Sequence, residues 1–162
     1  MGYCVSDLAS LCLERWLGGK HVDSMLEVLK DQLDSKAIQA SIQGVQFMWK
    51  LIEIYHYSCN TYAKAQSYKF IWEFADKLKT AKDSIFGTAV AVVIGRDDVL
   101  LPKGEEVRAN HWCAVVINAD QLTIQYSDPM GKAPPSELLN VIHWWLSLSF
   151  STTFSLHNLP VT

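Results

Sequence analysis

His111 and Asp128 bracket the stretch NHWCAVVINADQLTIQYSDP, residues 110–129, which otherwise reads as two apolar strands around a polar turn. A plain core hairpin needs neither residue. A carboxylate beside an imidazole fixes the ring tautomer and stabilises the imidazolium, leaving the other ring nitrogen to serve a nucleophile. The two can meet if the stretch folds back on itself. A tight turn at Ala119 and Asp120 pairs Asn118 with Gln121 in antiparallel strands, and the same ladder pairs His111 with Asp128. Opposed residues share a face, with Cβ atoms roughly 5 Å apart. A surface His–Asp pair of little energetic consequence is the alternative that this geometry leaves open.

A nucleophile is harder to place. The four cysteines, Cys4, Cys12, Cys59 and Cys113, are scattered and form no C-x-x-C pair. That pattern suits reduced thiols in a cytoplasmic or nuclear protein and supplies no zinc motif. Cys113 follows His111 by two positions, so it shares the strand face of the histidine. It cannot sit at a helix N-terminus, where a thiol is commonly activated. Cys59 falls near the end of an apolar helical stretch. All four are expected to be core or incidental residues. His143 stands on a helical stretch with no acid spaced to serve it, and His56 and His157 likewise show no partner. The acidic pairs Asp97-Asp98 and Glu105-Glu106 have no histidine at ligand spacing, so neither a metal nor a cofactor is expected.

The elements that must position the pair can be read from hydrophobic periodicity. With 49% hydrophobic and 19% charged residues over 162 positions, the chain can bury a core as one domain. A net charge of -3 argues against a nucleic-acid partner. The longest apolar run, AVAVVI at 89–94, is too short to cross a bilayer, so no membrane association is expected. Helical spacing appears at 20–34 (Val22, Met25, Leu26, Leu29, Leu33), at 36–58 (Ile38, Ile42, Val45, Trp49, Ile52, Tyr55) and at about 67–78. A β-branched run at 88–95 suits a buried strand, and VLLP at 99–102 a short one. Pro134 and Pro135 then punctuate, Ser136 can cap, and Leu138, Leu139, Ile142, Trp145 and Leu146 form the apolar face of a last helix. Helices first, then mainly local strands, then a helix predict an α+β domain with a mainly antiparallel sheet.

Three segments in order, RWLGGKHVDSMLEVL at 15–29, VLLP at 99–102 and HWCAVVI…IQYSDPMG at 111–131, resemble the ubiquitin-like protein-specific (sentrin/SUMO-type) cysteine protease family. The resemblance is tight over 15–33 and 98–131. It implies a papain-like cysteine proteinase fold, with His111 as catalytic base and Asp128, 17 positions later, as its orienter. It implies Trp16 and Trp112 as a substrate-binding clamp too narrow for any side chain but that of glycine, as suits substrates ending in Gly-Gly. The implied partner is a ubiquitin-like modifier or its conjugates; oligomeric state is left open. Gly19 stands where the family carries an acidic residue, and Pro129 where it carries a small hydroxyl residue.

The family's nucleophile lies in a Q-x-D-x-x-S/D-C-G segment downstream of the last helix, and this sequence ends at SLHNLPVT, where that segment would begin. Residues 1–162 are therefore expected to be a single partial protease domain, cut before its catalytic cysteine and inactive as given. A non-catalytic modifier-binding module or a degraded mobile-element remnant are the alternatives.

Overall fold

A computed structural model describes residues 18–58, 73, 76, 78, 84–92, 111–148 and 150–158. The elements, in chain order, are helix α1 (Gly19–Ser35), strand β1 (Ala40–Gln43), helix α2 (Gln46–Ser58), strands β2 (Ile85–Val92), β3 (His111–Asn118) and β4 (Thr123–Ser127), helix α3 (Ser136–Ser147) and strand β5 (Ser155–Asn158). Residues 73, 76 and 78 are helical as well. The strands form one sheet in the order β1-β2-β3-β4-β5. Its central pairs, β2–β3 and β3–β4, are antiparallel; its outer pairs, β1–β2 and β4–β5, are parallel. This is the expected α+β class, with N-terminal helices, a mixed sheet and a C-terminal helix.

Strand alternation sorts the side chains of the sheet onto two faces. On one face Phe86, Val90 and Val92 of β2, Cys113, Val115 and Ile117 of β3, and Ile124 and Tyr126 of β4 meet α2 and α3 in the main core. Trp145 of α3 is completely buried there, with Phe47 and Phe86 at ring-centroid distances of 5.4 and 5.3 Å. On the other face Ala89 joins Val22 of α1 and Val45, with Leu26 and Trp112 packed against them. His111 alternates in phase with Cys113, so it stands at the end of the main-core face, and Trp112 faces α1.

The helical stretch expected over 36–58 divides in two. Residues 40–43 pair in parallel with Ile85–Thr88, and the helix begins only at Gln46. A periodicity argument sees local spacing only, whereas this strand is made by a partner more than 40 residues away. The apolar face is rotated in consequence: Phe47, Met48, Leu51 and Ile54 are buried, while Trp49 is exposed. On α1 the predicted face is buried only at Val22, and Met25 and Leu29 are exposed. Ser136 opens α3 without a capping side-chain bond, the N-cap position falling to Pro135. VLLP at 99–102 lies outside the described residues.

One side chain ties α1 to the start of α2. Asp23 Oδ1 accepts a 2.8 Å bond from the backbone N–H of Val45, one of the donors that a helix start leaves unpaired. Gly44 makes room for it, since a Cβ there would lie 2.7 Å from the same oxygen. Gly44→Ala is expected to push Asp23 off the Val45 N–H and to cost about 1–2 kcal/mol, the usual value of a lost cap. Chemical denaturation of Gly44→Ala, Asp23→Ala and the double variant measures this. Additive losses in the double variant would show that the two residues act independently.

Candidate active site

The hairpin that carries the pair is longer in its turn than expected. Asn118 pairs with Thr123, and Ala114 with Ser127, so residues 119–122 form the turn. Asn118 Oδ1 accepts from the Gln121 N–H at 2.9 Å, and Leu122 takes a left-handed φ of 54°. The ladder is thus shifted by two residues from the one that pairs His111 directly with Asp128. An even shift leaves every side chain on its original face. His111 and Asp128 therefore still meet, now as diagonal neighbours, with Nε2 to Oδ1 at 2.8 Å.

The same shift brings Cys113 level with Asp128. The Cys113 thiol donates to Asp128 Oδ2 at 3.4 Å and accepts from the Tyr126 hydroxyl at 2.9 Å. A ring nitrogen of His111, Cys113 Sγ and a carboxylate oxygen of Asp128 all lie within 4.8 Å of one another. The expectation of a chain cut before its thiol, holding only two members of a catalytic unit and inactive for that reason, is corrected by this cluster. Cys113 lies within a strand and cannot begin a helix, but the two-residue shift sets it across from the aspartate.

Asp128 is the hub. It is only 4% exposed, and its carboxylate also accepts the Met130 N–H at 2.6 Å. Burial by itself pushes this carboxyl upward. Hydrogen bonds from His111, the Met130 N–H and Cys113, with the charge of His111, outweigh burial and hold it below the ordinary carboxylate range. The Tyr126 hydroxyl moves the other way: burial first, then its bond to Cys113 and the nearby acidic groups, push it far above an ordinary phenol, so it stays a donor. The Tyr126 hydroxyl also lies 3.5 Å from Asp128 Oδ2. Its single proton serves the closer sulfur. The side chain of His111 is 11% exposed and is the accessible edge of a cluster whose thiol is 2% exposed.

Of the residues singled out in the sequence, the structure brings together His111 and Asp128, and adds Cys113 and Tyr126. Trp112 lies on the opposite strand face, against Leu26 and the Val22–Val45–Ala89 cluster. Trp16, Cys4, Cys12 and Cys59 lie outside the described residues. His56, expected to lack a partner, bonds Glu137 across α2 and α3 at 2.8 Å, and His157 Nε2 lies 3.2 Å from Ser155 Oγ. Tyr126 carried a signal in sequence, since it precedes Asp128 by two positions and so projects from the same strand face.

No family model and no curated protein matches the chain. Solved structures do. SUMO protease Ulp1 with its catalytic cysteine oxidised to a sulfinic acid superposes with a TM-score of 0.63 at 16% identity, over 97% of this chain and 62% of that one. The C-terminal Ulp1 protease domain in complex with Smt3, the yeast ortholog of SUMO, gives 0.60 at 15% identity, over 96% and 62%. The fold is therefore the Ulp1-type, papain-like one, and the chain spans about 62% of the length of these structures. Among the described residues no helix is long and apolar enough to cross a membrane.

Proposed function

We propose that this chain is a cysteine-type peptidase module directed at the Gly-Gly end of a ubiquitin-like modifier. The observation that carries the reading is the thiol–imidazole–carboxylate cluster of Cys113, His111 and Asp128. Its setting in an Ulp1-type fold supports the choice of substrate class. In this scheme His111 takes the thiol proton, and Cys113 Sγ attacks the carbonyl carbon of the last glycine. Asp128, bonded through Oδ1 to Nε2, stabilises the imidazolium. The C–N bond breaks, the leaving amine takes the proton from His111, and water then hydrolyses the thioester by the same route. His111, the most exposed member of the cluster, is the side from which the substrate is proposed to approach. Trp16 and Trp112 are proposed to flank the Gly-Gly strand. Trp112 is next to His111 at the start of β3, on the opposite sheet face, where packing against α1 fixes the indole.

A modifier ending in a Gly-Gly vinyl sulfone tests the reading, with the labelled residue found by peptide mass spectrometry. The expected adduct is on Cys113. It should be lost in Cys113→Ala and slowed at least 100-fold in His111→Ala. An adduct on a different cysteine, or none on folded protein, overturns the assignment.

A further inference from the structure

We propose that His111, Cys113 and Asp128 also form a binding site for a soft divalent cation of the Zn²⁺ type, which locks the thiol in a metal-bound state. The binding stands on geometry alone; its inhibitory consequence rests on the peptidase reading. One nitrogen, one sulfur and one carboxylate oxygen converge within 4.8 Å, the mixture of donors that tetrahedral zinc takes. Ligand bonds of roughly 2.0 Å to nitrogen or oxygen and 2.3 Å to sulfur place two donors about 3.5 Å apart around one ion. The Nε2–Oδ1 and Sγ–Oδ2 separations, 2.8 and 3.4 Å, run to the two oxygens of one carboxylate, so a small shift of the donors around a single oxygen brings the three to that spacing. His111, the least enclosed of the three, is the donor freest to make that shift.

The electrostatics favour a dication. A thiolate and a carboxylate buried together repel, and a 2+ charge between them leaves the cluster neutral. One proton leaves, from Sγ. His111 binds as neutral imidazole, with its remaining proton on the nitrogen that does not hold the metal. The partners that steady the donors already exist: the Tyr126 hydroxyl donates to the sulfur and the Met130 N–H to the carboxylate. The fourth position falls to water. Hard cations such as Mg²⁺, which take oxygen donors, fit poorly.

The test uses the whole chain, reduced and stripped of metal, titrated with Co²⁺ while thiolate-to-cobalt charge-transfer absorption is followed, then with Zn²⁺ in competition. The expected result is one thiolate-bound ion per chain. Cys113→Ser should lose the absorption and bind Zn²⁺ at least about 10–100-fold more weakly, with an unchanged circular dichroism spectrum. His56→Gln, which alters the contacts with Glu137 and Tyr55 and none within the cluster, should bind as the parent does. Stoichiometric Zn²⁺ should block alkylation of Cys113 by iodoacetamide, and chelation should restore it. Charge-transfer absorption that persists in Cys113→Ser would place the ion on other thiols and overturn the site. So would Zn²⁺ binding no tighter than Mg²⁺, or alkylation unaffected by Zn²⁺. Localised Zn²⁺ binding without vinyl sulfone labelling would uphold the metal site while removing the peptidase reading.

Discussion

Asp128→Asn is expected to lower modifier-directed turnover by about three to four orders of magnitude, the scale on which losing the carboxylate of such a unit acts through the histidine. The carboxylate accepts hydrogen bonds from His111, Cys113 and the Met130 N–H. An asparagine keeps one acceptor and turns an NH₂ group toward donors, in a site only 4% exposed. His111 then loses the partner that sets its tautomer, and the thiol loses its acceptor. A structural cost accompanies this, on the order of 2–4 kcal/mol, because a buried hydrogen-bonded charge has been removed from among its donors. The pH dependence separates the two effects. Asp128 is held below its unfolded-state value, so its contribution to stability is present above the ordinary carboxylate range and is lost as pH falls through the folded-state pKa. The stability gap between parent and Asp128→Asn should therefore be widest near neutrality and narrow on acidification. Wild-type turnover in a folded Asp128→Asn protein, or a gap independent of pH, would remove Asp128 from the role assigned to it.

Trp145→Ala carries the largest expected effect on stability, about 3–5 kcal/mol. Its indole is fully buried, between Phe47 of α2 and Phe86 of β2, and so couples α2 and α3 to the sheet. The cavity cannot be filled by one neighbour, because each wall belongs to a different element. A fall in melting temperature on the order of 10 °C should follow for a chain of this size. Leu148, exposed just past the end of α3, is the comparison: its alanine variant should stay within about 0.5 kcal/mol of the parent. A loss below about 1 kcal/mol for Trp145→Ala would mean that this ring is not the joint between the layers.

Much of the fold was legible because it is local. The alternation of HWCAVVIN and TIQYS set His111 in phase with Cys113 and Tyr126 in phase with Asp128, and any register of the expected parity puts all four on one side. The Pro-Pro punctuation before Ser136 and the spacing Leu138–Ile142–Trp145 set the last helix and its buried face. What failed was long-range. Residues 40–43 carry apolar spacing compatible with a helix, and only the edge of β2 draws them into a strand. The exposed Met25 and Leu29 satisfy the helical pattern of α1, but among the described residues the sheet face meets this helix at Val22 and Leu26.

The sequence by itself determined the chemistry available at the site: an imidazole, a thiol, a phenol and a carboxylate, in one strand phase. That phase is set by chain geometry and survives any even shift of the ladder. Tertiary structure decided the register. The four-residue turn at 119–122 is held by Asn118 on the Gln121 N–H and by the Ala119 N–H on Ser84 O, a bond to a segment 35 residues earlier. That choice set Cys113 across from Asp128 and turned a pair into a cluster of three. Turn length is fixed by which backbone groups find partners in the rest of the sheet, and no reading of the hairpin alone contains those partners.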